Sequence, residues 1–157
     1  LDFGVFHGIN PNDGAAALIV ASQAAVERYG LTPKARVVGM AAAGVPPRIM
    51  GIGPAPAIRA VLDKASLSLD QIDRIEINEA FGAQVLACVA ELGIDEARLN
   101  VNGGAIAIGH PLGVTGLRQA LTLALELKRS GTRYGIASAC IGGGQGIALL
   151  LENPEAS

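Results

Sequence analysis

The sequence has no tryptophan, only two tyrosines and three phenylalanines, two cysteines and two histidines in 157 residues. Twelve basic residues stand against fourteen acidic ones, and no basic run occurs. A chain so poor in base-stacking rings and clustered cations is not built to follow a phosphate backbone, which excludes a nucleic-acid partner. Half the residues are hydrophobic, yet no uninterrupted apolar run approaches the roughly 20 residues of a membrane span. No membrane partner is expected, and the apolar surplus goes to a core or an interface. Cys88 and Cys140 do not make the dense staples of a small secreted fold, so free thiols are expected. His7 and His110, like the cysteines, are too far apart for a local metal-ligand cluster, and no metal is expected. No charged-then-apolar leader opens the chain, which gives a cytoplasmic expectation. Leu1-Asp2-Phe3 lacks an initiator methionine and runs straight into the Gly/Asn/Pro-rich stretch 4–14, the look of a cut edge.

The length suits one domain with one core, and the periodicity along it alternates strands with helices. The apolar run Ala15–Ala21 predicts a buried strand, with Ser22 capping a helix that ends at Gly30. Arg36–Ala43 predicts a second strand. After the turn residues 44–54 comes a helix with Ile58, Val61, Leu62 and Ala65 on one face. Ile72–Ile77 alternates as a strand, and Val85, Cys88, Val89 and Leu92 recur at helical spacing before Gly93. A glycine-rich stretch from Leu99 to Gly116 feeds a helix with Leu117, Ala120, Leu121, Ala124 and Leu125 inward, ended by Gly131. Arg133–Ala139 and Ile147–Glu152 predict an antiparallel hairpin joined by the connection 140–146. The sum is an α/β fold, a mixed five-stranded sheet covered by helices, over residues 1–157 as one domain.

The glycine clusters do not follow the dinucleotide fingerprint, and no G-x-S-x-G elbow is present, which disfavours dinucleotide binding and serine hydrolysis. Three glycine-flanked polar positions remain, at strand ends or in loops, where open α/β sheets bind ligands. Asn78 ends the third predicted strand. Alone it would ordinarily be a helix cap. His110 follows Gly109 in a stretch whose glycines let the backbone approach a ligand, although a lone histidine is usually structural. Cys140 precedes Ile141-Gly142-Gly143-Gly144, whose N–H groups can form an oxyanion nest, although a lone cysteine is usually packing. Cys88 lies on an apolar helix face and is read as packing.

Taken together, Asn78-Glu79-Ala80-Phe81, the segment Asn102-Gly-Gly-Ala-Ile-Ala-Ile-Gly-His-Pro111 and Cys140-Ile-Gly-Gly-Gly144 closely resemble the three C-terminal signatures of the thiolase family. Asn12–Ala16 and Met50–Pro54 are also similar to thiolase segments, so the resemblance extends over almost the whole chain. It implies a layered αβαβα fold in which this chain is the second of two similar halves. It implies an acyltransferase acting on acyl-CoA and coenzyme A without a further cofactor, by thiolysis or Claisen condensation through an acyl-cysteine. By resemblance Cys140 shuttles the proton at the α-carbon, and His110 activates the nucleophilic cysteine. A water on Asn78 joins His110 in stabilising the enolate, and the Gly142 N–H donates to the acyl-enzyme oxygen. An imidazole and N–H dipoles would hold Cys140 partly as thiolate. Met50 and Phe81 match positions that shape the acyl pocket, and both also suit a core.

Two departures from the pattern stand out. The segment 8–13 lacks the serine that many thiolases carry before Asn12-Asp13-Gly14, and the nucleophilic cysteine and main CoA loop belong to an amino-terminal half that is not in this sequence. The chain alone is therefore expected to be inactive, and a partner half and a homodimer or homotetramer are expected. The alternative is a non-catalytic thiolase-like assembly module, against which the intact Asn78, His110 and Cys140 argue. A ketoacyl-synthase relative would carry histidine or asparagine at position 140.

Overall fold

The structure, a computed structural model, describes residues 12–156. The reading of segment 8–13 falls largely outside them. Local signals set the first boundaries. Ser22 accepts a hydrogen bond from the Ala25 amide (3.2 Å) and starts α1 (Gln23–Tyr29), which Gly30 ends in the left-handed region. β1 spans Arg36–Gly44. A 3-10 turn over Pro47–Ile52 then leads to α2 (Pro54–Ala65), with Pro54 at the helix start where a missing N–H costs nothing. β2 is Arg74–Ile77, α3 is Gly82–Leu92, and a short α4 covers Ala105–Ile108 inside the glycine-rich stretch. α5 runs Thr115–Ser130, and β3 (Tyr134–Ile141) and β4 (Gln145–Glu152) close the chain as the expected hairpin.

The sheet order is β1-β4-β3-β2, with β2 and β3 parallel and the other pairs antiparallel. Strand alternation sends successive residues to opposite faces, and the two faces hold different cores. On one face α2 and α3 bury Ile58, Val61 and Cys88 against Ile75, Ile77, Ile136 and Leu150. On the other, α5 sets Ala120, Leu123, Ala124 and Leu127 against Ala137 and Leu151.

The sheet has four strands, not five. Ala15–Ala21 forms no strand; Ile19 is 92 % and Val20 88 % exposed. An apolar β-branched run becomes a strand only where an unpaired edge accepts its N–H and C=O groups, and this segment pairs with neither edge of the described sheet, β1 or β2. The stripe on α5 is also corrected. Ala120 and Ala124 are buried as expected, but Leu125 is exposed, and Leu123 and Leu127 do the packing. Leucines recur around much of this helix, and the sheet covers only one side.

Candidate active site

β2 and β3 run parallel with Ile77 opposite Ser138, and the Asn78 amide donates to the Ser138 carbonyl (2.9 Å). Asn78 and Cys140 therefore stand at the carboxyl ends of adjacent parallel strands, where this class of sheet binds ligands. Asn78 is buried, and among the described residues its Oδ1 has no partner. Alternation puts Asn78 with Glu76 on the face that carries α5, and Cys140 with Ile136 on the face of α2 and α3. A molecule reaching both must lie across the rim, beyond the strand ends.

The loop that carries His110 is clipped to the end of β2. Asn100, in the left-handed region at φ 45°, accepts from the Ile77 N–H (2.9 Å) and donates to the Ile77 carbonyl (3.0 Å) and to Glu79 Oε1 (3.0 Å). The second Glu79 oxygen accepts from the Ile106 amide (3.0 Å), and the carboxylate sits so tightly on Gly104 that a Cβ there would overlap it. Asn100→Ala removes three hydrogen bonds and strands the Ile77 groups. It is expected to cost about 2 kcal/mol, read as a lower denaturation midpoint of the assembled protein.

His110 Nδ1 lies 2.6 Å from Thr115 Oγ1, and that hydroxyl also reaches the Pro111 carbonyl (3.3 Å). With the hydroxyl proton on Pro111, Thr115 accepts from Nδ1–H, and Nε2 is left with a free lone pair. Burial, followed by the nearby Arg118 guanidinium, holds His110 below its ordinary pKa, so the imidazole is neutral at neutral pH. Among the described residues no hydrogen bond joins His110 to Cys140. Burial pushes the Cys140 thiol up, against the weaker pull of a backbone hydrogen bond. That direction is opposite to the expected partial thiolate and favours a protonated Cys140 in this chain.

The turn after Cys140 is built into the neighbouring backbone. The Val45 amide donates to the Gly144 carbonyl (2.8 Å), and a Cβ on Gly144 would run into the Val45 carbonyl oxygen. Gly53 and Gly146 approach so closely that a side chain on either would strike main-chain atoms of the other segment. Gly142 is exposed with open space around it. Met50, half-buried, lies in the 3-10 turn that packs by β3, and Phe81, 49 % exposed, precedes α3 and is not a core residue. Cys88 is fully buried, with its thiol 3.5 Å from the Gly51 carbonyl and 3.7 Å from Gln84 Nε2, as packing requires.

Residues 31–153 match the sequence model described as "Thiolase, C-terminal domain". The chain belongs to the thiolase family. It is 59 % identical over 143 residues to the beta-ketoadipyl-CoA thiolase of Pseudomonas aeruginosa, covering 90 % of this chain and 36 % of that protein. It is 53 % identical over 142 residues to the mitochondrial 3-ketoacyl-CoA thiolase of Bos taurus, again with 90 % and 36 % covered. The crystal structure of human mitochondrial 3-ketoacyl-CoA thiolase superposes with a TM-score of 0.84 at 53 % identity, over 85 % of this chain and 34 % of that one. The same thiolase has also been solved in complex with CoA. The chain thus spans about a third of the length of the thiolases it matches.

Several polar residues of this thiolase domain escaped the sequence reading: Glu76, Asn100, Thr115 and Arg118. One signal was available, since Glu76 is the lone acid inside Ile75-Glu76-Ile77, a strand with both neighbours buried. Burial lifts Glu76 from 4.5 to about 7, opposed by Arg118 and reinforced by Glu79 and Glu126. Between those values the folded thiolase holds a proton that the unfolded chain has released, so stability falls as pH rises through that window and stays reduced above it. Glu76→Gln is therefore expected to stabilise the assembled protein by about 3 kcal/mol at pH 8 and hardly at all at pH 4. Thermal unfolding at the two pH values reads this directly.

Proposed function

We propose that this chain is the C-terminal half of an acyl-CoA acyltransferase that cleaves 3-ketoacyl-CoA by thiolysis, or forms it by Claisen condensation. The observation that carries the reading is the juxtaposition of Asn78 and Cys140 at neighbouring parallel strand ends; His110, its Nδ1 held by Thr115, is kept neutral on the loop clipped to the end of β2. The relatives named beta-ketoadipyl-CoA thiolase and 3-ketoacyl-CoA thiolase agree with it.

In this reading His110 Nε2 takes the thiol proton of a cysteine on the amino-terminal half, and the thiolate attacks the 3-keto carbon. The carbon–carbon bond breaks, and the electron pair goes to the α-carbon as an enolate. His110 and a water on Asn78 Oδ1 stabilise the enolate oxygen. The Cys140 thiol then gives its proton to the α-carbon, which suits a half-buried, protonated sulfur. In the second half-reaction the Cys140 thiolate takes the proton of incoming coenzyme A, whose sulfur attacks the acyl-enzyme while the Gly142 N–H donates to the acyl oxygen; the carbon–sulfur bond to the nucleophilic cysteine breaks, and that thiolate recovers the proton held by His110. Met50 and Phe81 line the acyl side. No cofactor beyond the CoA thioesters is needed.

The amino-terminal half is part of the proposal. Leu18, Ile19 and Val20 are exposed ahead of the matched region, and the sheet face beside α5 keeps an apolar hollow of about 240 Å³ bordered by Met40, Ala139 and Ile147. Both are surfaces that a second half would cover. No helix among the described residues is long and apolar enough to cross a membrane. A cytoplasmic homodimer or homotetramer of whole thiolases fits the reading, with residues 1–157 forming the C-terminal unit. The test is intact-mass analysis of the assembled protein after exposure to acetyl-CoA. An acetyl group on a cysteine outside this chain supports the reading, and acetylation of Cys140 or none at all rejects it.

A further inference from the structure

We propose that Arg118, with Glu76 as its counter-charge, is a positioning residue that keeps His110 a neutral base. The inference rests on the acid–base role proposed for His110 and adds the groups that govern it. Thr115, buried, holds His110 Nδ1 at 2.6 Å, and Arg118 lies three residues on, one turn along the same face of α5. One helical turn thus presents a hydroxyl that orients the imidazole and a cation that opposes its protonation. The Arg118 side chain is only 18 % exposed, so solvent screens its charge weakly.

The counter-charge is loosely engaged. Arg118 Nη1 lies 3.5 Å from Glu76 Oε2, and among the described residues neither Arg118 Nε nor Glu76 Oε2 has a hydrogen-bond partner. Glu76 is faced by Arg118 and Glu126 from α5 and by Glu79 from the loop after β2. Glu126 is itself held by Arg74 from β2, by Arg129 and by Asn102, and so leaves Arg118 to Glu76. Burial places the protonation of Glu76 at about 7. As pH falls through that value, Glu76 takes up a proton and Arg118 bears on His110 without compensation. The carboxylate charges last and neutralises first, so the base stays neutral in the mildly acidic range where a free imidazole begins to protonate.

The test follows the His110 Cε1–H signal by NMR across pH in the assembled enzyme, beside the acid limb of kcat/KM. Arg118→Met is expected to raise the His110 midpoint, and the acid limb with it, while burial still holds it below that of a free imidazole. Arg118→Lys, which keeps the charge, should leave both within a few tenths of a unit. Glu76→Gln should keep the low midpoint and remove the second titration near 7. A His110 midpoint unmoved in Arg118→Met, or moved as far by Arg118→Lys, overturns the proposal, because a merely structural arginine would not separate the two variants by charge. An enzyme with no thiolysis at all would reject the proposed function, while the His110 titration would still decide this one.

Discussion

Cys140→Ala in the assembled enzyme is expected to lower acetoacetyl-CoA thiolysis by about a hundred- to ten-thousand-fold, the range for removing a positioned proton donor. The pattern of loss matters more than its size. His110 and its free Nε2 are untouched, so acetylation of the other half's nucleophilic cysteine by acetyl-CoA, where Cys140 only protonates the departing coenzyme A thiolate, should persist at a reduced but measurable rate. What disappears is proton delivery to the α-carbon and deprotonation of incoming coenzyme A. His110→Ala, by contrast, should depress acylation and cleavage together, since the same imidazole serves both. Rapid-quench measurement of acyl-enzyme, set beside steady-state thiolysis, separates the two. Equal loss of both steps in Cys140→Ala would mean that the thiol does not act as the α-carbon shuttle.

The next largest effect is structural and falls on the turn that follows Cys140. Gly144→Ala is expected to destabilise the assembled protein by about 3 kcal/mol or more. Two causes coincide: φ is 93°, outside the range an L-residue adopts easily, and the new methyl meets the Val45 carbonyl oxygen, with Pro47 N 3.0 Å away. Its neighbours form the control. Gly143→Ala has the left-handed φ of 88° but open space, so strain alone should cost about 1–2 kcal/mol. Gly142→Ala has neither problem and should stay within about 0.5 kcal/mol. Melting temperatures across the three variants give the ranking. A Gly144 variant as stable as the Gly142 one would contradict the packing of this turn on the residues after β1.

Much of this arrangement was legible because it depends on local chemistry. Ser22 and Gly30 bracket α1, Pro54 opens α2, and Gly93 and Gly131 close their helices in the left-handed region. The hairpin of β3 and β4 follows from two apolar runs and the glycine turn between them. The strand at Ala15–Ala21 failed for the opposite reason. Its pattern is that of a buried strand, but pairing needs an edge, and pattern alone does not say which chain supplies it. The same limit hid the supports of the site. Asn100 binds both backbone groups of Ile77 from 23 positions away, Glu79 reaches across to Ile106, and Arg118 meets Glu76 only because α5 lies on that face of the sheet. Asn78, His110 and Cys140 stood out by their glycine contexts, whereas the residues that orient and charge them sit in ordinary helical or strand positions.

The central claim is that this chain holds the proton-moving groups of a thiolase but not its nucleophile. The most direct measurement is acetoacetyl-CoA thiolysis by the purified chain alone, and by the same chain combined with a thiolase amino-terminal half, with the mass of each preparation checked under denaturing conditions. Activity only in the combined preparation is the predicted result. Turnover by the chain alone, at its own mass, would contradict the account.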